Sequence, residues 1–189
     1  MEPLLVSTAV VAIAEIGDKT QLLALLLAAK FRKPLPIILG ILVATLANHA
    51  GAAFVGTLVS GWLNEQVMAW ILGLSFLAMA IWALVPDKEE EPTAAASGYG
   101  PFVATTLAFF LLEMGDKTQL ATIALGARFD DLLLVTLGTT LGMMIANVPA
   151  VLLGEVAAKK IPLGVVRTVA AAIFVVLGLI SIGHAIGWF

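Results

Sequence analysis

Seven residues, Glu15-Ile16-Gly17-Asp18-Lys19-Thr20-Gln21, return 98 positions later as Glu113-Met114-Gly115-Asp116-Lys117-Thr118-Gln119, with only the second letter changed. Each copy interrupts an apolar run long enough to cross a bilayer. A charged side chain in the middle of a spanning helix costs roughly 2.5–3.5 kcal/mol on insertion scales. Left uncompensated, the acids and lysines of the two copies would together cost about 15 kcal/mol or more. They must therefore face one another, water or a substrate.

The surrounding chain fits that setting. Of its 189 residues, 61% are hydrophobic and 12% charged, and the mean hydropathy is +1.07. These values place it with all-α polytopic membrane proteins, whose partner is the lipid bilayer. The absence of cysteine excludes disulfides, thiolate metal sites, iron–sulfur clusters and cysteine nucleophiles. The net charge of −3 comes without any basic patch, so no nucleic-acid partner is expected. Met1-Glu2-Pro3 lacks the positive start of a signal peptide, so the first apolar segment reads as a retained span.

Six runs of sufficient length follow: about Leu4–Ala29, Leu35–Val59, Val67–Val85, Phe102–Ala127, Leu132–Ala157 and Val165–Trp188. They read as transmembrane helices, since barrel strands would show alternating segments of about ten residues. Residues 86–101, with Pro86-Asp87-Lys88-Glu89-Glu90-Glu91-Pro92, form an acidic linker between a first three-helix repeat at 1–85 and a second at 102–189. The 98-residue offset also aligns Leu22 with Leu120, Leu27 with Leu125, Ala29 with Ala127, Phe31 with Phe129, Gly40 with Gly138, Gly56 with Gly154 and Phe76 with Phe174. Three spans per half is an odd number, so the second half runs through the membrane upside down, as an inverted repeat. With both termini outside, Lys30, Arg32, Lys33, Lys88, Lys159, Lys160 and Arg167 fall in cytoplasmic loops and only Arg128 falls outside. The basic residues thus predict an N-out/C-out topology.

Both motifs sit near mid-span. On a continuous helix Glu15, Asp18 and Lys19 share one face, with Gln21 beside Asp18, and the same holds for Glu113, Asp116, Lys117 and Gln119. Gly17 and Gly115 allow close backbone approach or a broken helix whose freed carbonyls become ligands. The second and fifth spans add Asn48, His49 and the offset-equivalent Asn147, beside weak points at Gly51 and Pro149. Thr20, Thr118, the glutamines and the four carboxylates make an oxygen-rich site that suits Mg²⁺, Ca²⁺ or Mn²⁺ better than zinc or copper. Four acids and two lysines sum to −2, which one divalent cation or two protons would neutralise. Competition of cation and protons for the same carboxylates is the minimal mechanism of an antiporter.

Other readings of these residues are plainer. The charges can be interhelical glue, and Lys19 and Lys117 can balance charge, gate the site or snorkel away. His49 reads equally as a ligand, a proton relay or a hydrogen-bonding packing residue, and Asn48 and Asn147 as ligands or packing polars. Met114, Met143 and Met144 read as core filler, His184 as interfacial, Glu155 and Lys159 as a surface pair, and Trp62, Trp70, Trp82 and Trp188 as interface anchors. Gly-Asp-Lys-Thr is not a P-loop, which needs Gly-Lys-Thr after an earlier glycine and a strand. An intramembrane aspartyl protease would carry Gly-x-Gly-Asp, where both copies have Glu, and no enzymatic activity is expected.

The doubled Glu-x-Gly-Asp-Lys-Thr signature on the first and fourth of six helices resembles the Ca²⁺/Mn²⁺:H⁺ exchanger family, which includes eukaryotic Golgi manganese/calcium transporters and bacterial MneA-type manganese exporters. The resemblance covers essentially the whole chain. It implies that Glu15, Asp18, Glu113 and Asp116 bind the cation, with Thr20, Gln21, Thr118 and Gln119 as neighbours, and that the cation leaves the cytosol in exchange for protons. Mn²⁺ is the preferred cargo and Ca²⁺ follows; neither is a resident cofactor, and none is expected. The short linker and lack of an N-terminal extension suit a multi-pass protein of a prokaryotic plasma membrane. Export of an organic cation, such as a basic amino acid, is the alternative, although no aromatic cradle adjoins the acidic face. Homo-oligomerisation is left open.

Overall fold

The computed structural model describes residues 1–85, 99–153 and 163–188, and all regular structure among them is α-helical. The helices are α1 (Glu2–Glu15), α2 (Lys19–Phe31), α3 (Pro34–Ser60), α4 (Glu65–Ala83), α5 (Pro101–Glu113), α6 (Lys117–Phe129), α7 (Leu132–Leu153) and α8 (Leu163–Ala185). Four stretches are long and apolar enough to cross a bilayer: Pro34–Ser60, Glu65–Ala83, Leu132–Leu152 and Arg167–Ala185. Large apolar side chains such as Leu74, Ile81, Leu133 and Leu179 are more than half exposed around them, as expected where the solvent is lipid. The chain is a helical, polytopic membrane protein. Most of the linker, residues 86–98, and the Glu155–Lys159 pair lie outside the described residues.

Local sequence explains where these helices begin and end. Proline occupies the first turns of α1, α3 and α5, where its missing N–H is not needed. Asn64 caps α4, its side chain accepting from the Val67 amide at 2.8 Å. Helices α2 and α6 end alike: Arg32 and Asp130 adopt left-handed φ of 50° and 48°, and their amides bond back to the carbonyls of Ala28 and Gly126.

The structure decides one alternative, the broken helix at the motif glycines, and corrects one expectation. The runs Leu4–Ala29 and Phe102–Ala127 are not continuous helices; each breaks at its motif, at Ile16–Asp18 and at Met114–Asp116. The cause is local, since Gly17 and Gly115 take φ of +80° and +77°, which a helix cannot accommodate. The resulting pieces have 13 or 14 residues, about 20 Å at 1.5 Å per residue, too short to cross alone. Conversely, α3 runs unbroken through Gly51 and α7 through Pro149, so neither weak point opens the backbone. Neighbouring helices let membrane helices keep an internal proline.

Small residues bring the helices close. A Cβ at Gly40 would lie 2.8 Å from Thr105 Cβ and 2.9 Å from the Phe102 carbonyl, so α3 meets α5 backbone to backbone. At the positions 98 residues away, a Cβ at Gly138 would lie 2.9 Å from Ser7 Cβ and 2.6 Å from the Leu4 carbonyl, where α7 meets α1. Gly56 and Gly126 seat α3 on α6 in the same way. Phe76 and Phe174, equivalent in the offset, stack on each other across the α4–α8 contact with centroids 6.3 Å apart.

Candidate functional site: a carboxylate cluster between two broken helices

The two helix breaks meet in the protein interior. Glu15 is the last residue of α1 and Glu113 the last of α5, and both are fully buried. Asp18 and Asp116 are the N-caps of α2 and α6. The site is therefore flanked by two helix C-termini and two helix N-termini, whose partial charges favour a cation and carboxylates respectively. Carboxylate oxygens of Glu15, Glu113 and Asp116 lie within 4.8 Å of one another. Oxygens at about 2.3–2.6 Å from a common Ca²⁺ would be up to about 5 Å apart, so this spacing fits one hard cation.

Because the helices break, the face shared by Glu15, Asp18 and Lys19 does not form. The charges pair crosswise instead: Lys19 Nζ lies 3.2 Å from Asp116 Oδ1, and Lys117 Nζ lies 3.1 Å from Asp18 Oδ1. Each lysine thus holds the aspartate of the other motif, tying the two breaks together. Asp18 also accepts from the Lys19 amide at 2.7 Å. The two glutamates are treated differently. Thr20 donates its hydroxyl to Glu15 Oε2 at 2.5 Å, and Thr118 donates to Glu113 Oε2 at 3.1 Å. The other oxygen of each, Oε1, is buried and has no hydrogen-bond partner among the described residues. With the aspartates matched by lysines, the negative charge to be balanced rests on Glu15 and Glu113.

The glutamines brace the breaks. Gln21 Oε1 accepts from the Gly17 amide at 2.9 Å, and Gln119 Oε1 accepts from the Gly115 amide at 2.7 Å. Gln21 also donates to the Ala146 carbonyl at 2.9 Å, locking the first motif onto α7. Asn48 donates to the Phe110 carbonyl at 2.9 Å and ties α3 to α5. Asn147 turns its amide to its own helix, to the Met143 carbonyl at 3.1 Å and the Met143 sulfur at 2.9 Å. His49 is fully buried, neither ring nitrogen having a partner among the described residues. Neither His49 nor Asp18 belongs to the three-acid group.

Several side residues resolve as well. Met114 is 57% exposed and so does not line the cluster, whereas Met143 is fully buried. His184 borders an open hollow of about 510 Å³ with Glu65, Arg128 and Asp130. A cavity of about 10 Å³, room for about one water, touches Gly17, Asp18, Lys117 and Arg167. The carbonyl partners Ala146 and Phe110 have no side-chain signature, so sequence reasoning missed them.

The chain matches the family described as "Divalent cation/proton antiporter GDT1" over residues 3–91 and 101–187. It belongs to that family. It is 53% identical over 180 residues to a Vibrio cholerae serotype O1 protein named "Putative manganese exporter", covering 95% of this chain and 90% of that protein. The family member "GDT1-like protein sll0615" of Synechocystis is 27% identical over 192 residues, covering 90% of this chain and 92% of the relative. "GDT1-like protein 3" of Oryza sativa subsp. indica is 27% identical over 200 residues, covering 92% and 71%. No solved structure gives a significant match to this chain.

Proposed function

We propose that this GDT1 family member exports a divalent cation from the cytosol in exchange for protons, with Mn²⁺ as preferred cargo and Ca²⁺ next. The observation that carries the reading is the pair of buried glutamates, each anchored through Oε2 by a threonine and each keeping an Oε1 without a protein partner among the described residues. Two such oxygens, with Asp116 alongside, take either one divalent cation or two protons. The cation cannot bind until the protons leave, and this exclusion couples the two fluxes. The relative's printed name supports manganese as the cargo.

The helices assemble in this reading into six spans, α1–α2 and α5–α6 each making one crossing in two pieces. The matching contacts of Gly40 on α5 and of Gly138 on α1, 98 residues apart, and the stacking of Phe76 on Phe174 support two inverted repeats about an axis in the membrane plane. Both termini face outward and the protein resides in a prokaryotic plasma membrane. Asp18, Asp116, Lys19 and Lys117 hold the motifs together and set the charge. Gln21 and Gln119 hold the breaks open, while Asn48, His49 and Asn147 surround the site.

Proteoliposomes carrying a pH gradient test the proposal, with Mn²⁺ and Ca²⁺ supplied separately to wild type and to Glu113→Gln. The expected result is cation movement driven by protons and lost in the variant, with Mn²⁺ faster. Movement of neither ion, or full transport by the variant, overturns it and turns attention to organic cations.

A further inference from the structure

Threonines inside these helices have a common habit. The hydroxyls of Thr8, Thr106, Thr122, Thr139 and Thr168 each donate to the carbonyl four residues before, at 2.7–2.9 Å. That bond is how a helix satisfies a hydroxyl when no water is at hand. Thr45 on α3, Thr105 on α5, and Thr136 and Thr140 on α7 break the habit, and of these only the last two share a helix. Thr136 and Thr140 are buried, 8% and 3% exposed, and neither hydroxyl has a partner among the described residues. The Oδ1 of fully buried Asn147 is likewise without one. Positions 136, 140 and 147 are spaced i, i+4 and i+11, so all three lie on one face of α7. They extend for about 16 Å along the helix at 1.5 Å per residue. At the level of Asn147 the helix meets the first motif, since the backbone carbonyl of Ala146, on an adjacent face, accepts from Gln21. Buried polar atoms without a protein partner are where ordered water binds when there is room for it.

We propose that the Thr136–Thr140–Asn147 face of α7 holds a file of ordered water that conducts protons between the Leu132 end of the helix and Glu15. The inference rests on the antiport reading above, in which that end of α7 faces outward. A hydroxyl or a water both accepts and donates, so each oxygen takes a proton from its outer neighbour as it releases one to its inner neighbour. One proton enters at the outer end and one arrives on Glu15 Oε1, with no net change along the file. Asn147 Oδ1 only accepts, and so orients the last water rather than relaying. Thr139 is excluded, since it donates to the carbonyls of Val135 and Thr136 on its own helix.

The test compares wild type, the double variant Thr136→Val/Thr140→Val and Thr140→Ser in proteoliposomes, reading Mn²⁺-driven proton movement with an internal pH dye and Mn²⁺ binding in detergent. The double variant is expected to bind Mn²⁺ within twofold of wild type while proton movement falls at least tenfold. Thr140→Ser, which keeps the hydroxyl, should stay near wild type. Proton movement unchanged in the double variant, or lost equally in Thr140→Ser, overturns the proposal. If wild type itself exchanges no protons, the antiport reading fails instead. X-ray hydroxyl-radical footprinting of wild type gives an answer independent of any variant's folding. Met143 shares the stripe and is fully buried, as Met79 is nearly so in the α4 core. Water on the α7 face should label Met143 well above Met79, and equal protection of the two overturns the proposal.

Discussion

Replacing Lys117 with methionine tests whether the crossed ion pairs fasten the two motifs. The Lys117 and Asp18 side chains are 8% and 0% exposed and meet at 3.1 Å. Breaking a buried pair by deleting one partner costs about 3–5 kcal/mol, because the remaining charge stays buried without its counter-charge. Asp18 keeps the Lys19 amide at 2.7 Å, which sets the expected loss near the lower figure, about 3 kcal/mol. Asp18→Asn retains an amide oxygen for that bond and should cost less. The double variant Lys117→Met/Asp18→Asn has no stranded charge, so its loss should fall well short of the sum of the two. The interaction energy should come out at about 2–3 kcal/mol. Reversible unfolding in mixed micelles titrated with sodium dodecyl sulfate, followed by helical circular dichroism, measures all four corners of the cycle. Additivity within about 0.5 kcal/mol would refute the pairing as a fastener and leave the lysines only a role in charge balance.

Glycine substitutions should separate contact from conformation. Gly56→Ala drives a Cβ into the Ile123 carbonyl and should cost at least about 1–3 kcal/mol of overpacking. Gly51→Ala meets nothing within 4 Å inside the same helix and should be neutral or stabilising by up to about 1 kcal/mol; thermal unfolding in one detergent ranks the two. Gly115→Ala also meets no neighbour, yet φ is +77° there, so it should cost about 1–2 kcal/mol and slow Mn²⁺ flux through a distorted break. Mn²⁺ at about 100 times its dissociation constant should stabilise wild type by about 2.7 kcal/mol, and this shift should vanish in Glu15→Gln while a denaturation scan shows the variant still folded.

The sequence by itself determined the helical membrane class, the doubled acid motif and the residue types of the site. Those properties follow from composition and from the price of charge in lipid, which act on any arrangement of the chain. The glycines 98 residues apart aligned the two halves in the sequence, and the structure showed that Gly40 and Gly138 are points of close helix contact. Tertiary structure decided who pairs with whom. A helical wheel drawn through Glu15, Asp18 and Lys19 assumes a continuous helix. The positive φ of Gly17 and Gly115 ends that helix and lets Asp18 and Asp116 start new ones. Once broken, each motif finds its counter-charge in the other; Thr20 reaches Glu15 locally across the break, whereas the choice of Ala146 for Gln21 depends on a helix 125 residues away. Periodicity reports one element at a time, whereas a binding site is formed by several whose relative placement is set by packing.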